Sequence, residues 1–452
     1  MKVTLVIPQS SLPFTCGMGP GKLLQPPMGV LSLAAATQDD HDVNIIDSRL
    51  FRLSPARIAE KVVSRKPDVV GISVNYSTLI KAGTIIATRV REALGTEVPI
   101  IWGGNAATFN HGSLLQSKVA DMIVLHEGDR TFPALLRCIE QKHSAETLSG
   151  VAFRQGESLV RTDFTAYIQD LDSLPFPSYK HLASPERYLR GVVTSRGCSY
   201  ACIYCSTRAM WGKWRSRSAG NILAEVQQHV EEAAPPRIHF VDDNFPVDRI
   251  RVRDICEGMQ AAGWTFVWGF SARLEMVDEE LLRMCARAGC DRLYFGIESG
   301  SPRVLERLGR RYGPEDVMKI VDSCLEMGIL PTCSFMLGIP YENDEDVQRT
   351  FDLMQHVNTP MVQIHVFTPL PGTPVYENPE RFNVKLYLDG DTPDCILQAV
   401  FHETAHLSRE RIAELWLEGH GIAAERSVER PAYDAFLGKG ADQDPEITAG
   451  KG

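Results

Sequence analysis

Hydrophobic positions in the first 150 residues fall into short β-rich runs separated by helical stretches. The runs KVTLVIP (2–8), VNIID (43–47), VVGISV (69–74), VPIIWGG (98–104) and MIVL (122–125) read as buried strands. Helical patterns lie between them, as in 55–65 (PARIAEKVVSR) and 80–94 (IKAGTIIATRVREAL). This alternation predicts a parallel, doubly wound Rossmann-like sheet over residues 1–150, with ligands outside the carboxyl ends of the strands. The loops leaving those ends are 8–29, rich in Gly and Pro, then SVNYST (73–78), GGNAATF (103–109) and HEGDRTF (126–132). Small, polar and glycine-bearing, they let backbone approach a large ligand closely. Taken singly, each also suits a domain-packing loop.

Residues 151–190 read as a linker, with prolines clustered at LPFPSY (174–179) where no helix runs through. From 191 a second alternation begins: GVVTS (191–195), RIHFV (237–241), FVWGFSA (266–272), RLYFGIE (292–298), LPTCSFMLG (330–338) and VQIHVFT (362–368). Helical patterns separate these runs. One at 281–289 takes Asp278 as N-cap and Gly289 as its stop; another at 314–328 has Pro314 at its start and Gly328 at its end. Six strands with intervening helices predict an incomplete β/α barrel over 191–375, its chemistry at the carboxyl ends of the strands. Beyond it, 376–440 reads as a C-terminal segment with one amphipathic helix at 408–424, and 441–452 as a disordered tail.

Composition excludes several classes. A net charge of −10 leaves no electrostatic footprint for nucleic acid or an anionic membrane. No apolar run approaches the roughly 18–20 residues that cross a bilayer, and MKVTLVIPQS reads as a strand and not a signal peptide. The expected location is therefore the cytoplasm. Most of the 11 cysteines are scattered singly among apolar residues, as buried thiols of a reducing compartment are.

Three are not: Cys198, Cys202 and Cys205, in RGCSYACIYCST (196–207). Structural zinc wants four ligands, usually from paired CxxC motifs. Here the spacing is CxxxCxxC, and within twenty residues on either side only His181 adds a ligand. Soft thiolates also suit an iron–sulfur cluster, and three of them leave one iron of a four-iron cluster open. An open position signals chemistry, and the motif directly follows the first barrel strand.

With an aromatic residue before its last cysteine, the motif resembles that of the radical S-adenosylmethionine enzymes. The resemblance implies a [4Fe–4S] cluster on Cys198, Cys202 and Cys205. Its unique iron would bind S-adenosylmethionine, whose one-electron cleavage gives a 5′-deoxyadenosyl radical that abstracts a substrate hydrogen. Tyr204 would sit beside the adenine. FVDDNF (240–245) would bring Asp243 and Asn244 to the methionine ammonium, FSARLE (270–275) Arg273 to its carboxylate, and YFGIESGS (294–301) Glu298 and Ser299 to the ribose hydroxyls. Read singly, Asp243 also suits a helix cap and Glu298 a pair with Arg292. WRSRS (214–218), MLGIPYEN (336–343) and HVFTPLPGTPVYE (365–377) extend the likeness, although Tyr341 stands where the family usually has glycine.

The N-terminal loops, with PPMGVLSLAA (26–35), resemble the cobalamin-binding domain of the cobalamin-dependent subclass, implying contacts from Ser73, Asn75, Gly103, Gly104, Glu127 and Gly128. No DxHxxG motif is present, which that subclass commonly lacks, and His126 reads as a packing residue rather than a cobalt ligand. The implied activity is methylation of an unactivated carbon of a small-molecule, lipid, peptide or natural-product precursor. Cobalamin would pass a methyl from one S-adenosylmethionine to a radical generated with a second, and an external one-electron donor such as flavodoxin or ferredoxin would drive the cluster. Radical cyclisation or ring rearrangement with the same cofactors, and a radical enzyme without cobalamin, are the alternatives. A methylthiotransferase is disfavoured, because the first 150 residues hold only Cys16 and Cys138 in place of a second triad. Residues 402–406, HETAH, match the zinc-protease HExxH pattern. Ser408 reads as the cap of the following helix, so His402 and His406 fall before it. Cys333 and Trp268 suit either the barrel interior or its core.

Overall fold

The computed structural model describes residues 1–9, 23–51, 53–235, 237–387 and 400–427. Part of the first loop (10–22, with Cys16) and the expected tail at 441–452 lie outside the described residues.

The N-terminal domain is a seven-stranded sheet, built from β1 (Lys2–Ile7), β2 (Asp42–Asp47), β3 (Val69–Ser73), β4 (Ile100–Gly103), β5 (Met122–Val124), β6 (Val151–Gln155) and β7 (Ser158–Arg161). Its order is β2-β1-β3-β4-β5-β6-β7, with the first five strands parallel. Chain order reverses between β1 and β3, which puts a crevice at their carboxyl ends. Helices cover both faces, so the strands are buried on both sides and carry near-continuous apolar runs. Pro55–Ser64 starts where Ser54 accepts a hydrogen bond from the Arg57 N–H and Pro55 fills the first turn.

The supposed linker is partly sheet. β6 and β7 form an antiparallel hairpin on the edge of the first domain, which therefore runs past residue 150 to Arg161. Their residues carry little of the β-branched periodicity that marks a strand on its own; pairing with β5 supplies it.

The second domain comprises β8 (Arg190–Val192), the short pair β9 (Ser195–Arg196) and β10 (Arg215–Ser216), then β11 (Arg237–Phe240), β12 (Val267–Arg273), β13 (Cys290–Glu298), β14 (Leu330–Leu337) and β15 (Val362–Val366). Six of these form one parallel sheet, order β15-β14-β13-β12-β11-β8, as a partial barrel requires. Alternate residues, among them Ile238, Phe240, Phe270, Phe295 and Phe335, pack against the outer helices in one core. Trp268 and Cys333 belong to that core and not to the barrel interior; the Trp268 indole N–H donates to the Ala288 carbonyl at 2.7 Å. Asp278 caps Glu279–Arg287 as expected, accepting from the Leu281 N–H. After the barrel, β16 (Val384–Leu386) pairs antiparallel with β17 (His402–Thr404), and helix Arg409–Ser427 packs on β15. No helix among the described residues is long and apolar enough to cross a membrane.

Candidate active site

The three cysteines sit on one loop just beyond β9. Gly197 begins that loop at φ +84°, and a Cβ there would lie 3.1 Å from the Lys213 carbonyl oxygen, so glycine suits the turn. Asp242, at the carboxyl end of β11, accepts the Thr194 and Ser195 N–H groups at 2.8 Å each, which fixes the approach to the loop. All three thiols are half-buried and unpaired. Burial raises the Cys198 and Cys205 thiols above their ordinary value, so a positively charged metal centre is what would make them thiolates. The Arg273 guanidinium lies 3.1 Å from Cys202 Sγ and 3.7 Å over the Tyr200 ring.

Around this loop the strand ends deliver a second set of side chains. Tyr204 donates its hydroxyl hydrogen bond to Glu298 Oε1 at 2.8 Å, and Arg310 donates to both, at 2.6 and 2.5 Å. Glu298 adopts φ +71° where the pairing of β13 with β14 shifts register, so its carboxylate turns back over Gly296. Its ionic partner is Arg310, not Arg292. Asp243 accepts from the Thr207 hydroxyl at 3.3 Å, and burial together with Asp242 pushes it up to about 6. Asn244 is fully buried: its Oδ1 accepts the Arg273 N–H, while its Nδ2 has no partner. Ser299 is not brought to this constellation. It is wholly buried, with its hydroxyl 3.1 Å from that of Thr350 and accepting from the Ser301 N–H. Sequence reasoning does not reach Asp242 or Arg310: Asp242 lies within FVDDNF, where only its neighbours Asp243 and Asn244 are singled out, and nothing near Arg310 marks it.

The crevice at the β1–β3 switch opens onto this same region. A cavity of about 470 Å³ is lined from the first domain by Ser73, Asn75, Gly103, Gly104, Glu127 and Gly128, and from the barrel by Ser195, Arg196, His239, Asp243 and Ser271. Gly104 has φ +94°, and a Cβ there would meet the Val74 carbonyl oxygen at 2.7 Å. Asn105 reaches across to the cysteine loop, its Nδ2 3.0 Å from Ser206 Oγ. Glu127 is committed to the domain junction. Its carboxylate accepts from Arg196 at 2.9 Å, from Arg215 at 3.0 Å and from the Ile168 N–H at 2.8 Å. Asp129 takes Arg196 through both oxygens at 2.8 and 2.9 Å.

Family models match both halves. Residues 192–354 match the radical SAM superfamily, and residues 18–136 match the B12 binding domain. The chain belongs to the cobalamin-dependent radical S-adenosylmethionine enzymes. It is 29% identical over 384 residues to an uncharacterized methyltransferase of Pyrococcus horikoshii, covering 83% of each chain. It is 24% identical to an anaerobic magnesium-protoporphyrin IX monomethyl ester cyclase of Synechocystis sp., over 78% of this chain and 72% of the relative. In fold it resembles the radical S-adenosylmethionine methyltransferase TsrM from Kitasatospora setae, solved with cobalamin and a [4Fe–4S] cluster, with a TM-score of 0.73 and 16% identity over 94% of this chain and 88% of that one.

The residues of this radical enzyme fit its cofactors. Three thiols on one loop, none of them in a disulfide, would supply the ligands of a three-thiolate cluster. Gly103 and Gly104, at the end of β4, leave that part of the crevice floor without side chains, as a large planar ligand needs. His126 is packed among aromatics: its ring centroid lies 4.4 Å from that of Phe164 and 5.9 Å from that of Tyr167, with Nδ1 3.1 Å from the Met210 carbonyl oxygen.

HETAH lies before the helix, in β17 and the turn that follows it. His402 Nε2 is 2.7 Å from the Gly338 carbonyl oxygen, and burial lowers the ring to about 4. It is a core histidine. Because it stays neutral in the fold while the unfolded chain binds a proton from about pH 6.5, its contribution to stability is complete above that value and is lost as pH falls toward 4. The melting temperature of wild type is expected to fall more steeply over this window than that of His402→Gln. Equal slopes would show that His402 is not held neutral.

Proposed function

We propose that the enzyme methylates an unactivated carbon of a small-molecule, lipid or natural-product precursor. One observation carries this reading: a single cavity has walls from both the glycine loops of the B12-binding domain and the strand ends beside the cysteine loop. Such a carbon offers neither an acidic proton nor a nucleophile, so side-chain acid–base chemistry has nothing to act on and cofactors must supply the reactivity. When bound, the cluster supplies an electron for opening S-adenosylmethionine, and cobalamin supplies the methyl group.

Cys198, Cys202 and Cys205 would hold the cluster, and Arg273, itself paired with Glu275, donates to Cys202 Sγ. Tyr204 and Glu298, locked together by Arg310, present a rigid phenol and carboxylate toward the nucleoside; Asp243 presents its carboxylate toward the ammonium. Ser73, Asn75, Gly103, Gly104 and Gly128 would form the corrin floor. The junction between the two domains would align the partners. A flavodoxin- or ferredoxin-type donor would reduce the cluster. Radical cyclisation is the second reading, supported by the similarity to the cyclase.

Incubating the reconstituted enzyme with candidate precursors and trideuteromethyl-labelled S-adenosylmethionine separates the two. Methylation yields a product carrying the intact label; cyclisation yields an unlabelled product of altered mass. Tyr204→Phe is expected to keep the cluster and raise the KM for S-adenosylmethionine about three- to tenfold, the loss of one hydrogen bond to a charged network. An unchanged KM would place the nucleoside elsewhere.

A further inference from the structure

The last cysteine of the triad is followed at once by Ser206 and the short helix Thr207–Trp211. Five residues are too few to hold a helix on their own. Ser206 stands at the N-cap, where a serine usually bonds the N–H groups of its own helix. Here its side chain makes no such bond. Its hydroxyl oxygen instead accepts from the Asn105 amide at 3.0 Å, just past β4 in the other domain.

The far end of the helix is also held from outside. The last carbonyls of a helix need donors that the helix cannot supply. Ala209 O accepts from the Tyr167 hydroxyl at 3.3 Å, and Trp211 O accepts from Arg215 at 3.0 Å. Met210 O lies 3.1 Å from His126 Nδ1; a carbonyl can only accept, so the ring proton sits on Nδ1. His126 belongs to the first domain, and Arg215 is itself fixed by Glu127 of that domain. The first domain thus grips this helix at both ends.

The same helix touches both cofactor sites. Met210 and Trp211 line the junction cavity, together with Asn105 and His126. At the other side the Thr207 N–H lies 3.5 Å from Cys205 Sγ, and the Thr207 hydroxyl donates to Asp243 at 3.3 Å. A displacement of the helix would therefore move a cluster thiol and the Asp243 carboxylate together.

We infer that the Thr207–Trp211 helix couples the two cofactor sites, with Asn105 as its positioning residue. Cobalamin filling the crevice would restrict Met210 and Trp211, and the Asn105–Ser206 bond carries that restriction to the neighbour of Cys205. The affinity for S-adenosylmethionine then depends on whether the crevice is filled. Cluster-bearing protein without cobalamin would hold S-adenosylmethionine weakly, so little is opened before the second cofactor is in place. The inference rests on the two cofactors of the family and not on the choice between methylation and cyclisation.

Calorimetric titration of S-adenosylmethionine into anaerobically reconstituted protein, with and without cobalamin, tests it. The cluster is kept oxidised so that nothing is cleaved, and its content is matched between samples by iron and sulfide analysis. Wild type should bind about five- to tenfold more tightly when cobalamin is loaded, the lower end of ordinary coupling between sites. Linkage requires S-adenosylmethionine to tighten cobalamin by the same factor, which the reverse titration reads. Asn105→Ala and Ser206→Ala should each cut the ratio to below about twofold, the effect of losing one hydrogen bond. The double variant should lose no more than either single one, because all three lack the same bond. Asn105→Asp still accepts from the Ser206 hydroxyl and should keep most of the ratio. Loss of the cluster in Asn105→Ala, restored in Asn105→Asp, would support the link equally. A ratio near one in wild type that retains both cofactors, or an undiminished ratio in both alanine variants, overturns the coupling and leaves the proposed function standing. Wild type that retains no cobalamin overturns the coupling and the methyl-transfer reading together.

Discussion

Cys202→Ala, like the same change at Cys198 or Cys205, is expected to abolish cluster binding and with it the reductive cleavage of S-adenosylmethionine. The loop supplies three thiols and no spare, so losing one leaves a second iron without a protein ligand. Removing residues that only orient metal ligands commonly costs about 10–100-fold. Loss of a ligand itself should cost at least about a thousandfold. Iron and sulfide analysis after anaerobic reconstitution reads the first effect, and 5′-deoxyadenosine formation the second. The fold should survive, because the thiols are half-buried on a loop and outside the hydrophobic cores. A variant that keeps a full cluster and wild-type cleavage would show that the open-site reading of the triad is wrong.

Glu127→Ala should be the most destabilising change at the domain junction. The carboxylate is 2% exposed and serves two guanidiniums that are themselves 11% and 7% exposed. Truncation leaves Arg215 and the Ile168 N–H without their shared acceptor, while Asp129 still holds Arg196. Breaking a buried pair from one side typically costs about 3–5 kcal/mol. Urea unfolding should show a correspondingly lower midpoint, with the two domains melting less cooperatively. Glu127→Gln keeps an acceptor in place and should cost less. Equal stability of Glu127→Ala and wild type would mean that the ionic junction is not closed in solution.

The two domains and their strands were legible because parallel sheets write themselves as short apolar runs. KVTLVIP and RLYFGIE needed no tertiary information. The hairpin β6–β7 was not legible: it takes its strand character from its neighbour on the sheet edge. Cys198, Cys202 and Cys205 share one loop, as their spacing implies, and Asp243 and Glu298 lie at strand ends near it. Ser299 lies against Thr350, just beyond the register shift at which the Glu298 carboxylate turns back over Gly296, and no local pattern announces that placement. The backbone position of Glu127 at the crevice was legible from its loop; its side-chain partners Arg196 and Arg215 come from the other domain, and no local pattern announces them. Arg310 was invisible for the same reason.

Methyl transfer requires the junction cavity to hold cobalamin beside the cluster loop. The most direct test is the ultraviolet–visible spectrum of protein reconstituted without oxygen with iron, sulfide and cobalamin, then desalted. A broad cluster absorption together with about one retained cobalamin per chain is expected, with loss of the cobalamin alone in Gly104→Val, whose side chain would press on the Val74 carbonyl. A cluster with no retained cobalamin would contradict methyl transfer.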